Sequence, residues 1–221
     1  MTNLEALRQG AQAVFAATNA AREVALPKSR AAVRHCANAI RAIHRDDENG
    51  AQALIEQARA LIDAMRADLR DHPNIYFAGF VEDAQKEFAE AGITVALIRG
   101  RDLPTPEELG VEWAAYLNGM GEAVGELRRH VLDLLRQGRF GECEALLGVM
   151  DEVFGVLTAL DFPDAITNGL RRTTDNARGI IERTRGDLTS AALSAQLSAQ
   201  LTLVADLLRH DGHGPPAEEQ G

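Results

Sequence analysis

A chain of 221 residues with 46% apolar and 25% charged residues can build one substantial core and is short for two independent domains. Aromatic residues make up only 5%, while Ala, Leu, Arg and Glu dominate, a mixture that favours helix over pleated sheet, so the expected fold class is all-α. The formal net charge of −10 excludes a duplex-coating protein held by bulk positive charge and leaves room only for a local nucleic-acid site.

From Thr2 to about Ala20, Leu4, Leu7, Ala11, Val14 and Phe15 recur every three or four positions, the period of a helix with one buried face. A second helical stretch runs from about Arg22 to Arg45, with Pro27 and Ser29 marking a kink or restart. After the break at Asn49-Gly50, Leu54, Ala58, Leu61, Ile62, Met65 and Leu69 give an amphipathic helix over Gln52 to Leu69, which stops near His72-Pro73. Ile75 to Ile98 reads as a further helix, although its end, Ile93 to Ile98, is β-branched enough to pass for a strand. Gly100, Pro104 and Pro106 form a loop in which Thr105 and Glu108 have capping-box spacing. Helices follow over Val111–Gln137, Phe140–Ala159, Asp161 or Phe162 to Arg185, and Asp187–Arg209, with Asp161 and Pro163 marking an N-terminus. Residues 1–209 thus form one helical domain, and 210–221, rich in Gly, Pro and acid, form a disordered tail. His210 and His213 in that tail are weak candidates for a metal.

Cys36 and Cys143 lie far apart without metal-ligand spacing, which suits a reducing cytoplasm, and acidic neighbours on both sides make Cys143 a packing residue rather than a nucleophile. Met1 to Gly10 has no apolar signal region, and the run Ile93 to Ile98 is far below the ~20 residues that cross a bilayer, so no membrane is expected. No nucleophile elbow, Walker loop, H-E-x-x-H or dinucleotide fingerprint is present.

The segment Tyr116-Leu117-Asn118-Gly119-Met120-Gly121-Glu122-Ala123-Val124-Gly125-Glu126-Leu127 places three glycines inside a helix, each costing roughly 1 kcal/mol against alanine. Close approach of another helix or of a ligand must compensate. Glu122 and Glu126, four apart, share one face and repel. They read either as a hard-cation site, since Mg²⁺ takes one or two carboxylates, or as a solvated acidic face helped by Arg128 and Arg129. Glu82, beside Phe80 and Val81, supplies a third carboxylate or else pairs with Lys86 on the surface. Arg30, Arg34, Arg41 and Arg45 fall on one helical stripe with Lys28 and His44 close by, a set attractive to phosphate or simply solvated. Arg171, Arg172, Arg178, Arg183 and Arg185 form a second cluster, diluted by Asp175 and Glu182 into what can equally be a salt-bridged face.

Four segments together carry a resemblance that covers about Arg22 to Leu188: Arg41-Ala42-Ile43-His44-Arg45, Phe80-Val81-Glu82-Asp83-Ala84, Tyr116-Leu117-Asn118-Gly119 with Gly125-Glu126-Leu127, and Glu182-Arg183-Thr184-Arg185-Gly186. In these the chain resembles the translin/TRAX family. The resemblance implies a seven-helix subunit of a closed homo-octamer that holds single-stranded RNA or DNA inside. It further implies a TRAX-like catalytic subunit, a Mg²⁺- or Mn²⁺-dependent endoribonuclease using an E-x-x-E pair in the fourth helix and two acids four apart in the next long helix. Aligned position by position, the second acid of the pair falls on Glu82 and the later two on Glu122 and Glu126, while the first falls on Gly79. Under that reading Glu82, Glu122 and Glu126 hold the metal, and Arg30, Arg34, Arg41, His44 and Arg45 bind RNA. Loss of an acid at Gly79 keeps a non-catalytic, translin-like container open as the alternative.

Overall fold

The structure, a computed structural model, describes residues 3–211, and among the described residues every regular element is a helix. In chain order these are α1 (Leu4–Ile43), α2 (Glu48–Asp68), the single turn α3 (Pro73–Tyr76), α4 (Gly79–Ile98), the single turn α5 (Pro106–Leu109), α6 (Trp113–Arg136), α7 (Phe140–Thr158), the single turn α8 (Asp164–Thr167) and α9 (Leu170–Asp211). The all-α expectation is met. Ile93 to Ile98 completes α4 rather than forming a strand, because Ala91 to Ala96 are buried all round the helix and tertiary packing overrides the weak local preference of β-branched residues. The capping box forms as spaced: Thr105 Oγ accepts from the Glu108 N–H at 3.1 Å, and Glu108 Oε2 accepts from the Thr105 N–H at 2.8 Å.

Three expected breaks are absent, and the first is the division near Ala21, which α1 crosses as one helix. Pro27 lies inside α1, which continues through it because Ala25 and Ser29 on either side are buried and Ser29 Oγ donates to the Phe80 carbonyl of α4 at 2.7 Å. At the other end, Asp161–Pro163 opens only α8. That turn is closed by left-handed Asn168 (φ 51°) and Gly169 (φ 82°), after which α9 runs unbroken past Gly186. Arg128 of α6 brackets Gly186 by donating to Thr184 Oγ at 3.1 Å and to Asp187 at 2.7 Å, while Thr184 and Leu188 are buried against the bundle.

α6 is the central element, packed against α4, α7 and α9, while α1 lies along α2 and α4. Phe88, Ile93, Val124, Leu127 and Met150 fill the space between them. The first part of α1 and the last part of α9 are not covered by this bundle. Leu4, Leu7, Val14 and Phe15 of α1, and Leu193, Leu197, Leu201, Val204 and Leu208 of α9, are each more than half exposed. By length and composition alone α9 is also apolar enough to cross a membrane, with a best-window mean hydropathy of 1.3. Its leucines, however, keep helical spacing among Ser, Gln and Thr, as a stripe that packs on another helix does. Residues 212–221, with most of the expected tail and His213, lie outside the described residues.

Candidate functional site

Gly119 explains part of the glycine-rich segment. A Cβ there would stand 2.6 Å from the Lys86 carbonyl oxygen and 2.8 Å from the Glu90 nitrogen, so α6 touches the backbone of α4 at this point. Gly121 makes room for a side chain of α9 instead, since a Cβ there would meet the Thr173 methyl Cγ2 at 2.4 Å. Gly125 has only ordinary contact with Ile180. Asn118 locks the junction: its Nδ2 donates to the Thr167 carbonyl at 2.9 Å and its Oδ1 accepts from Thr173 Oγ at 2.6 Å, tying α6 to α8 and α9.

Because α4 and α6 meet at Gly119, Glu122, one turn further along α6, comes up against the acids of α4. One ligand oxygen from each of Glu87, Glu90 and Glu122 lies within 4.8 Å of the other two. All three side chains are half-buried. Burial, reinforced by the charges of Glu87, Glu122 and Glu126, pushes the Glu90 carboxyl up to about 8, and burial raises Glu87 in the same direction. One cation enters the group from the protein itself: Lys86 Nζ donates to Glu122 Oε1 at 2.9 Å and lies 3.8 Å from Glu87 Oε1. Burial alone would lower the lysine's pKa, but its bond to Glu122 and the surrounding acids raise it. Three oxygen donors on rigid helices form a ligand set that suits a hard divalent cation.

The expected trio is not brought together. Glu122 belongs to the group, but Glu82 stands two helical turns before Glu90, about 12 Å along α4 at 1.5 Å per residue. Its carboxylate accepts a hydrogen bond from Asn168 Nδ2 at the α8–α9 turn. Burial and the neighbouring Asp83 raise the Glu82 pKa. Glu82 shares with Glu122, Lys86, Arg172 and Thr173 a small recess of about 110 Å³, room for a few waters but not for a nucleotide. Nor does Glu82 pair with Lys86, whose ammonium is taken by Glu122. Glu126 is bonded to His44 instead, Nε2 to Oε2 at 2.6 Å, which holds the Glu126 pKa below the usual carboxylate range. This also corrects the placement of His44 among the RNA-facing residues: its side chain is 2% exposed, and its other ring nitrogen is buried without a partner among the described residues.

Arg30, Arg34 and Arg41 are exposed along α1 and Arg45 is exposed in the turn that follows it, and no described acid pairs with any of them. Arg30 and Arg34 line a groove between α1 and α4 that ends at Asp83, Lys86 and Glu87, at the edge of the carboxylate group. The second cluster divides. Arg171 pairs with Asp161 and Arg185 with Asp151, whereas Arg172 lines the recess beside Glu122. Cys143 is buried with its thiol pKa raised by burial and by its flanking acids, in keeping with a packing role.

Sequence reasoning missed Glu87 and Glu90. Their signal is present: Glu87-Phe88-Ala89-Glu90 has the E-x-x-E spacing intact, eight residues beyond the register that began at Gly79, and it leads straight into the buried stretch Ala91 to Ala96. The two acids four apart, Glu122 and Glu126, follow in the next long helix.

No protein-family model matches the sequence. An uncharacterised protein of Methanocaldococcus jannaschii is 30% identical over 185 residues, covering 83% of this chain and 82% of its own length. The structure of C3PO from Archaeoglobus bound to duplex RNA is 36% identical, covers 87% of this chain and 98% of that one, and superposes with a TM-score of 0.76. The crystal structure of the same C3PO gives 0.75 at the same identity and coverage. C3PO from Neurospora in its apo form, 21% identical over 86% of this chain and 98% of its own, shares the fold with a TM-score of 0.74. With identity above 30% along nearly the whole helical bundle, the chain belongs to the translin-like C3PO family.

Proposed function

We propose that this protein is an RNA-binding, divalent-metal-dependent endoribonuclease, a TRAX-like catalytic subunit rather than a passive container. The observation that carries the reading is the carboxylate group of Glu87, Glu90 and Glu122, whose ligand oxygens lie within 4.8 Å of one another across two helices. Three half-buried acids so close disfavour one another's charged forms: burial first, and then the charges of Glu87, Glu122 and Glu126, raise the Glu90 pKa. A bound Mg²⁺ or Mn²⁺ would lower the pKa of a coordinated water and neutralise charge at the scissile phosphate. Glu126, bonded to His44, is near enough for its charge to act on Glu90. Arg30 and Arg34 bind the phosphates of a strand in the groove that ends at Glu87, with Arg41 and Arg45 continuing the stripe. Local arginines and an internal acid group reconcile nucleic-acid binding with a net charge of −10.

RNA as the ligand class is supported by the Archaeoglobus relative, whose structure holds duplex RNA. Single-stranded RNA is the proposed substrate, as the resemblance to the translin/TRAX family implies. The exposed apolar stripes of α1 and α9 support assembly into a closed homo-oligomer, as the resemblance implies an octamer. The alternative, a non-catalytic container for single-stranded RNA or DNA, is favoured by one observation: Lys86 and His44 already satisfy Glu122 and Glu126 without a metal. Incubation of the pure protein with end-labelled RNA separates the two. Fragments that need Mg²⁺ or Mn²⁺, disappear with chelator and are lost in Glu90→Gln and Glu122→Gln establish the nuclease; an intact, protected strand under every metal condition establishes the container.

A further inference from the structure

Lys86 is the unusual member of the carboxylate group. Its side chain is only 23% exposed and it sits between Glu122 of α6 and Glu87 of its own helix, among the oxygens that would ligate a cation. It is also common to two openings: the groove lined by Arg30 and Arg34, and the recess lined by Glu82, Arg172 and Thr173. A divalent cation bound to Glu122 and Glu87 would sit across one carboxylate from an ammonium already hydrogen-bonded to it, and two like charges so close repel strongly even at the effective dielectric of a protein surface. The ammonium rides on a flexible four-carbon stem and is a point charge without fixed geometry, so it can leave the acids for either opening. Phosphates in the groove are the new counter-ions it would meet there.

We propose that Lys86 is a resident counter-ion that exchanges places with the divalent cation, so that metal loading and RNA entry assist one another. In the metal-free protein Lys86 neutralises Glu122 and Glu87. When a strand enters the groove, its phosphates draw the ammonium out and the vacated acids take the cation; by linkage, a bound cation frees Lys86 for phosphate and tightens RNA to the same degree. Lys86 is thus a positioning residue for the acids and a phosphate contact once released. This rests on the metal site of the proposed nuclease and adds to it an order of events.

Mn²⁺ titration calorimetry on the full chain tests the exchange, using wild type, Lys86→Gln, Lys86→Met, Lys86→Arg and Glu122→Gln, each alone and with a phosphorothioate-protected RNA strand. Without RNA, Lys86→Gln and Lys86→Met should bind Mn²⁺ about tenfold tighter than wild type, since a competing positive charge is gone. Lys86→Arg, which keeps the charge, should stay near wild type. The strand should raise Mn²⁺ affinity several-fold in wild type and markedly less in Lys86→Gln. Metal-free Lys86→Gln should melt below wild type and recover with Mn²⁺, a response that loss of packing alone would not give. Unchanged or weaker Mn²⁺ binding in both neutral variants, or equal tightening in Lys86→Arg, overturns the exchange. Absence of Mn²⁺ binding in every protein, or binding indifferent to Glu122→Gln, removes the metal site itself; binding that Glu122→Gln abolishes and Lys86→Gln leaves alone removes only the exchange.

Discussion

Gly119→Ala tests whether backbone contact between α4 and α6 builds the site. The added methyl would stand 2.6 Å from the Lys86 carbonyl oxygen and 2.8 Å from the Glu90 nitrogen, and ordinary contact begins at 3.4 Å. These two obstacles are main chain and a third, Ala89 Cβ at 2.9 Å, has no rotamer to change, so no side chain can turn aside and the helices must part by about 0.8 Å, the difference between 2.6 and 3.4 Å. Overpacking of this kind costs roughly 1–3 kcal/mol, against which alanine returns about 1 kcal/mol of helix propensity. A net loss of ~1 kcal/mol corresponds to a fall in Tm of roughly 2–4 °C for a chain of this size. The same displacement separates Glu122 from Glu87 and Glu90 by a large fraction of a ~2.0–2.1 Å ligand bond, so Mn²⁺ affinity should fall by about tenfold or more. Gly125→Ala is the control. Its nearest neighbour, Ile180 Cδ1, is 3.8 Å away, and the helix should gain up to ~1 kcal/mol with metal binding unchanged. Thermal melts and Mn²⁺ titrations on the two variants decide the matter: a Gly119→Ala protein as stable as wild type and with wild-type metal affinity would refute the close-contact account.

Glu90 gives a pH signature. Its folded pKa of about 8 lies above its ordinary 4.5, so the contribution it makes to stability is complete below 4.5 and is lost as pH rises toward 8. The metal-free wild type should therefore lose Tm over that interval more steeply than Glu90→Gln, while Mn²⁺ affinity rises up to about pH 8 as the competing proton leaves. His44→Ala deprives Glu126 of its partner and leaves a void; a loss of about 2 kcal/mol is expected in thermal melts, with His44→Gln recovering part of it because an amide can still donate to Glu126. Equal melts for the alanine and wild-type proteins would show that the pair contributes nothing. Arg30→Ala and Arg34→Ala should each weaken RNA binding and flatten its log–log salt dependence by about 0.7; an unaltered slope in fluorescence anisotropy would move the RNA path away from the α1–α4 groove.

The helical class, the capping box at Thr105 and Glu108, and the need for close approach at Gly119 and Gly121, though not at Gly125, were legible, because each rests on local spacing and on residue types with one dominant physical reason. Continuity was not. Pro27 and Gly186 look like breaks, and only contacts from other helices, Ser29 to Phe80 and Arg128 to Thr184 and Asp187, carry the helices across them. The acids show the same division. Glu122 and Glu126 are fixed relative to one another by a single helix, so their pairing was readable, but which acid of α4 meets them depends on where two helices touch. That point is set by Gly119 against Lys86 and Glu90, and a slip of eight residues along α4 exchanges Glu87 and Glu90 for Gly79 and Glu82. Burial pattern would have chosen between them. Glu90 is followed by six residues, Ala91 to Ala96, that are all buried, whereas Glu82 opens a helix beside exposed turns, so the acid held inside the bundle is the one that adjoins an unbroken apolar run.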